Sequence, residues 1–272
     1  MRVLLVRLSS IGDVVHTLPT LRALTRAGHE VGWIVEPAAR PLLEGHPLLA
    51  GGVVAAAPAR RFAPGPVRAS LQALRRGRYD VALDLQGLWK SAAWARLSGA
   101  HRVVGFASGF RREPGSALLL SERADQPAEA RHVIDKNLSL LRPLGVDALG
   151  LREFPLPEMA QEEQRVAENL RSMGLTEFVV LNPGGGWESK LWPAESFGAL
   201  ARGLKGAGLR SLVTWGPGEE GLAERVVAAG AGEALRSFPT TLRECVGRRI
   251  SDKAMACVRA AQTAQQLVSE CF

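Results

Sequence analysis

Apolar and polar positions follow two regimes along this chain. RVLLVR at 2–7, VGWIV at 31–35, GGVVAAA at 51–57, DVALDL at 80–85 and HRVVGF at 101–106 are short apolar runs of strand length. None shows a clean polar alternate face, which is the pattern of strands buried on both sides of a parallel sheet. Stretches with helical spacing separate them, at 14–27, near 38–45, at 66–77 and at 88–97. Residues 107–128 are polar and rich in Gly, Pro and Arg, so they read as a loop. A helix is expected over 129–142, ending near Pro143 and Gly145. The segment LREFPLPEMA at 151–160 holds two prolines and reads as a linker. The rhythm then restarts: helix 159–172, strand 178–183, helix 194–206, strand 209–216, helix 218–229. Alternating strands and helices predict an α/β fold of two Rossmann-like halves facing a cleft, with ligands at the carboxyl ends of the strands.

Composition narrows the picture. The chain has 272 residues, 46% of them hydrophobic, enough for one or two cores. No apolar run approaches the roughly 20 residues of a membrane span, and the opening run is too short for a secretory signal, so a cytoplasmic location is expected. The three cysteines, Cys245, Cys257 and Cys271, match no zinc spacing and all fall in the last 28 residues. The net charge of +7 is uneven. Residues 1–155 carry 21 Lys and Arg against 13 acids, and the remainder is almost balanced. Arg60, Arg61, Arg68, Arg75, Arg76 and Arg78 form the densest cluster. Such a field draws anions. Without a recognition motif or interleaved aromatics, no nucleic-acid partner is expected; a phosphorylated glycolipid or a membrane surface fits, as does a solvated arginine face.

Four loops at strand ends could carry chemistry. In SSIGDVVHTLP, Asp13 either caps a helix or serves as a base; a helix N-terminus favours the anion, so a base there would need partial burial. In DLQGLWKS, Gly87 permits a tight turn. Lys90 would sit in a first helical turn, where a cation is disfavoured unless an anion balances it. That is either the mark of an anionic ligand or an ordinary surface lysine. In LNPGGGWESKLWP, three glycines expose backbone N–H groups to a phosphate and Lys190 adds a charge, but the spacing is neither a Walker A loop nor GxGxxG. In TWGPGEE, the acids either complement a helix dipole or accept from ribose hydroxyls.

Together these segments resemble the bacterial ADP-heptose:lipopolysaccharide heptosyltransferases, most closely the heptosyltransferase I type. The pieces are MRVLLVRLSSIGDVVHTLP, YDVALDLQGLWKSA, FRREP, SKLWP and WGPGEE, in the family's order over roughly 1–244. The resemblance implies a GT-B fold of two Rossmann-like domains and an inverting, metal-independent transfer of heptose from ADP-heptose to Kdo of Kdo-lipid A. It implies no cofactor and no metal site. Asp13 would be the general base. Ser10, Gly12, Arg60, Arg61, Gln86, Lys90 and Arg112 would meet the acceptor, and Asn182, Gly185, Gly186, Lys190 and Glu219 the donor. Gly185 and Gly186 fall where relatives carry small hydroxyl residues, leaving backbone contacts only. The enzyme would work in the cytoplasm, peripheral to the inner membrane, with no amphipathic anchor standing out. The acceptor of a heptosyltransferase II-like enzyme is an alternative.

The domains expected are 1–155 for the acceptor and 156–244 for part of a nucleotide-sugar domain, with an atypical tail over 245–272. The family continues with a strand and a D-T-G-x-x-H-L motif, which this tail lacks. A shifted reading frame is the favoured explanation, and a shortened relative with a helical end the other. On either, the second sheet would have two strands, low stability and weak donor binding, and a non-catalytic remnant that still binds acceptor is the competing function.

Overall fold

The computed structural model describes residues 1–57, 64–185, 191–247 and 254–259. The chain divides into two compact units, Met1–Glu158 and Met159–Phe272. In the first, the elements run β1 (Arg2–Val6), α1 (Ile11–Val15), α2 (Leu18–Arg26), β2 (Glu30–Val35), β3 (Val53–Ala55), α3 (Pro64–Arg76), β4 (Val81–Asp84), α4 (Trp89–Leu97), β5 (Arg102–Phe106), β6 (Glu122–Ala124) and α5 (Val133–Ser139). The second holds α6 (Ala160–Ser172), β7 (Phe178–Asn182), α7 (Ala194–Gly206), β8 (Arg210–Val213), α8 (Glu220–Ala229), β9 (Ala234–Arg236), α9 (Leu242–Gly247) and β10 (Ala254–Arg259). Among the described residues no helix is long and apolar enough to cross a membrane.

Sheet one is parallel throughout, in the order β3-β2-β1-β4-β5-β6. Its middle strands are buried on both faces, which is why they read as unbroken apolar runs. Leu4 and Val6 of β1 point to the face covered by Leu74 of α3, Ala95 of α4, and Ala117 and Leu120 of the β5–β6 connection. On the other side α2 packs beside α5, where Asn137 Nδ2 donates to the Thr17 hydroxyl and to the His16 carbonyl, both at 3.3 Å. The strand order reverses between β1 and β4. Such a reversal is where a doubly wound sheet has its crevice, the usual ligand position.

Sheet two is also parallel, in the order β10-β7-β8-β9. Phe197 and Ala201 of α7 and Ala223 and Val226 of α8 cover Val179, Leu181 and Val213. Val166 and Leu170 of α6 cover Phe178 and Leu212. Arg243 of α9 donates to Glu162 of α6 at 2.6 Å, tying the last described helix to the first.

Several expectations are corrected. The helix at 14–27 is two helices, since the chain turns at His16 and Thr17 before Pro19 opens α2. The helix near 38–45 is a single 3-10 turn, Arg40–Leu42, and that at 129–142 is α5 followed by a 3-10 turn at Arg142–Leu144. The loop at 107–128 contains β6 and two 3-10 turns. The second sheet has four strands, not two: β9 is only three residues long, and β10 forms where a helical period suggested a helix.

The connection Leu151–Glu158 carries no regular structure but is fastened to the first unit. Glu153 pairs with Arg22 at 3.0 Å and Arg26 at 2.7 Å. Buried His46 accepts from Leu48 N at Nδ1 (3.1 Å), so Nε2 carries the proton and donates to the Pro155 carbonyl at 3.0 Å. Burial pushes the His46 pKa down, against the hydrogen bond to the Pro155 carbonyl; burial and the nearby amino terminus lower His29 as well. A lowered histidine binds fewer protons folded than unfolded, so its stabilisation is complete above the unfolded value near 6.5 and is lost as pH falls below it. The melting temperature should therefore fall between pH 7.5 and 5.5. His46→Gln should flatten that slope, with His29 supplying the remainder. An unchanged slope in the variant would remove His46 from this account.

Candidate functional site

At the crevice of the first sheet, β1 is followed by Arg7, whose guanidinium is almost wholly buried. Nη2 lies 3.1 Å from Asp13 Oδ1, and Nη1 donates to the Leu85 carbonyl after β4. Burial pulls the Arg7 pKa down, while Asp13 and Asp84 oppose it. Ser10 precedes α1, and its N–H and hydroxyl both donate to Asp13 Oδ2 at 3.2 Å. Asp13 is thus the third residue of the helix rather than its cap; Ser10 holds the cap position, which corrects the capping reading. The Asp13 side chain remains 40% exposed. It is a half-buried carboxylate fixed from below by a buried cation and from the side by a serine, with room for a hydroxyl to approach.

The β4 loop braces this arrangement. Gln86 accepts from Leu8 N at 2.8 Å and donates to the Ser9 hydroxyl at 3.4 Å, so it orders the loop that carries Ser10 and Asp13. Asp84 Oδ1 accepts from the N–H groups of Gln86 and Gly87, at 3.2 and 3.3 Å. Its Oδ2 meets Arg111 Nη2 at 2.5 Å, and both side chains are fully buried. Gly105 of β5 makes the space: a Cβ there would lie 2.7 Å from Arg111 Nη1 and 3.0 Å from a Leu120 methyl. Arg111 Nε also donates to the Ser116 hydroxyl at 2.9 Å. Neighbouring Arg112 is exposed, as are Gly12 and Lys90. Lys90 does sit in the first turn of α4, but the anion that balances it is Glu36, 2.6 Å away at the end of β2. The chain thus supplies a counterion for Lys90 itself, so its first-turn position does not by itself call for an anionic ligand.

In the second unit, Asn182 ends β7 and Gly184 and Gly185 begin the glycine turn. Glu219 precedes α8 and accepts from Gly216 N at 2.9 Å. Its carboxylate lies against Gly184, where a Cβ would fall 2.2 Å from Oε2. A side chain there would displace the Glu219 carboxylate from this position. The structure thus brings Glu219 to the same strand ends as Asn182 and Gly185. Arg60, Arg61, Gly186 and Lys190 lie outside the described residues.

Two residues of the first crevice, Arg7 and Arg111, escaped the sequence reading. A signal existed for the first: an arginine closing an apolar strand, RVLLVR, is a cation destined for burial and in need of a counterion.

The profile of glycosyltransferase family 9 (heptosyltransferase) matches residues 67–243. Lipopolysaccharide heptosyltransferase 1 of Pseudomonas aeruginosa is 32% identical over 241 residues, covering 85% of this chain and 65% of that protein. The protein of the same name from Escherichia coli K12 is 32% identical over 240 residues, covering 83% and 72%. The chain therefore spans roughly two thirds of the length of these relatives. The solved structure of E. coli heptosyltransferase WaaC with ADP-2-deoxy-2-fluoro heptose matches with a TM-score of 0.74 at 27% identity, covering 100% of this chain and 86% of that one. E. coli ADP-heptose lps heptosyltransferase II matches with a TM-score of 0.75 at 19% identity, a likeness of fold. The α/β fold is that of these GT-B type proteins.

Proposed function

Since the chain belongs to glycosyltransferase family 9, the heptosyltransferases, we propose that it moves heptose from ADP-heptose to a Kdo hydroxyl of Kdo-lipid A with inversion at the anomeric carbon. The observation that carries this reading is the Asp13 carboxylate: half-exposed at the sheet's crevice and held by Arg7 and Ser10. In the proposed step Asp13 takes the proton of the acceptor hydroxyl as its oxygen attacks the anomeric carbon. The bond to the ADP oxygen breaks, and ADP leaves with the electron pair. Ser10, Gly12, Gln86, Lys90, Arg112, Arg60 and Arg61 form the proposed acceptor side. Gln86 acts by ordering the Asp13 loop, and Lys90 by moving off Glu36 toward acceptor phosphate. On the donor side Asn182, Gly185, Gly186 and Lys190 meet the diphosphate, and Glu219 accepts from ribose hydroxyls. The proposed setting is the cytoplasmic face of the inner membrane.

Incubating the chain with ADP-heptose and Kdo2-lipid A, and in parallel with an acceptor that already bears one heptose, tests the reading. Transfer to the first supports it. Transfer to the second alone replaces the acceptor. Acceptor binding with no transfer to either substrate would replace this reading with a remnant that binds acceptor without turnover. On the donor side, Gly184→Ala should push Glu219 off its position and weaken ADP binding about tenfold, the cost of one displaced polar contact to a ribose. Calorimetric titration of ADP reads this directly, and equal affinity would take Glu219 out of the donor site.

A further inference from the structure

Among the described residues of the first unit, four of the six exposed large apolar side chains lie on adjoining elements, the others being Met1 and Ile11. Trp89 and Leu97, at either end of α4, are 47% and 46% exposed; Phe110 and Leu118, in the 3-10 turns between β5 and β6, are 46% and 75% exposed. That connection is packed onto α4: Glu113 accepts from Trp89 N at 2.6 Å, and the Trp89 ring lies over Gly115. Isolated exposed hydrophobes need no explanation, but a group of four on adjoining elements does. On α4 they fall on one stripe. At 100° per residue, Trp89, Lys90, Ala93, Arg96 and Leu97 share the outward side, while Ser91, Ala92 and Ala95 are buried beneath.

The surroundings are cationic. α3 lies on the same face of the sheet, its Leu74 in one core cluster with Ala95 of α4, and Arg75 Nε donates to the Leu97 carbonyl at 3.3 Å. α3 and the turn after it expose Arg68, Arg75, Arg76 and Arg78. No Asp or Glu occurs in either helix. Apolar side chains with an indole among them, ringed by arginines that outnumber the nearby acids Glu36 and Glu113, form the surface that lies on an anionic bilayer: the apolar groups enter the headgroup region and each nearby cation adds attraction.

We propose that α3, α4 and the β5–β6 connection form a membrane-docking face for anionic lipid. It rests on the reading above, in which the acceptor is anchored in a bilayer. The face is assembled from a helix stripe and two short turns, so it has no signature as one amphipathic segment of sequence.

The test is co-sedimentation of the full chain with vesicles of phosphatidylglycerol and phosphatidylcholine, or of phosphatidylcholine alone. Transfer to a deacylated, water-soluble Kdo acceptor is measured alongside. Binding is expected to the anionic vesicles and to weaken with salt. Leu97→Glu with Leu118→Glu, and separately Arg76→Glu with Arg96→Glu, should each lower partitioning about tenfold or more, with transfer to the soluble acceptor kept. Arg171→Glu on α6 makes the same two-unit charge change as the leucine pair, at a place outside this face, and should leave partitioning unchanged. Failure to bind anionic vesicles, or equal loss with Arg171→Glu, would overturn the docking face even if transfer proceeds. Competition by single-stranded RNA without dependence on Leu97 and Leu118 would overturn it in favour of a nucleic-acid surface. Docking without transfer to the soluble acceptor would leave the face in place and sink the enzymatic reading instead.

Discussion

Arg111→Met should cost the first unit about 3–5 kcal/mol of stability, the usual price of stranding one member of a buried ion pair. Arg111 and Asp84 are both fully buried, and Asp84 would keep only its bonds to the N–H groups of Gln86 and Gly87. For a unit of this size the loss corresponds to roughly 6–20 °C in melting temperature. A second substitution, Asp84→Leu on the Arg111→Met background, removes the stranded charge and should restore much of the loss. The rescue should not extend to function. Asp84 shapes the turn from which Gln86 reaches Leu8 N, so the double variant would be folded with a loosened Asp13 loop. Urea denaturation of the two variants decides the matter: a cost below about 1 kcal/mol for Arg111→Met would mean that solvent reaches Asp84 and that the pair is not a foundation of the site.

The elements that position this pair differ in how plainly they were written in the sequence. β1, β2, β4 and β5 are unbroken apolar runs because both of their faces are covered, and such runs announce themselves. β6 reads Glu-Arg-Ala and β9 reads Ala-Leu-Arg. Three residues at a sheet edge, paired on one side, show neither a run nor a period. Asp13 and Glu219 could be picked out because acids after a strand and beside a helix start are few. Their partners could not. Arg111 lies 27 positions from Asp84, and Glu36 lies 54 from Lys90, so only the strand order brings them together. Lys90 shows the consequence: the rule that a cation in a first turn needs an anion was sound, but sequence alone could not say that the chain supplies that anion itself. The apolar group of Trp89, Leu97, Phe110 and Leu118 was hidden for the same reason, being a property of folded neighbours rather than of any one segment.

Asp13→Asn should reduce kcat for heptose transfer by about 10²–10⁴, the range lost with a general base. The geometry argues that this loss would be chemical and not structural. The asparagine Oδ1 can still accept from Arg7 Nη2 or from Ser10, and α1 keeps its start. KM for both substrates should change little, because the acid is needed when the acceptor proton moves rather than when the sugars bind. Arg7→Met attacks the same function from beneath. It leaves the carboxylate in the chain but removes the contact that fixes Oδ1, so the base keeps its chemistry and loses its orientation. Its effect should be smaller than that of Asp13→Asn, and the double variant should be no worse than Asp13→Asn alone, as expected for residues that act as one unit. Additive losses would mean that Arg7 serves the reaction independently, for instance by meeting the acceptor itself. Full transfer by Asp13→Asn would remove the base from this crevice altogether and leave Asp13 as no more than the counterion of a buried arginine.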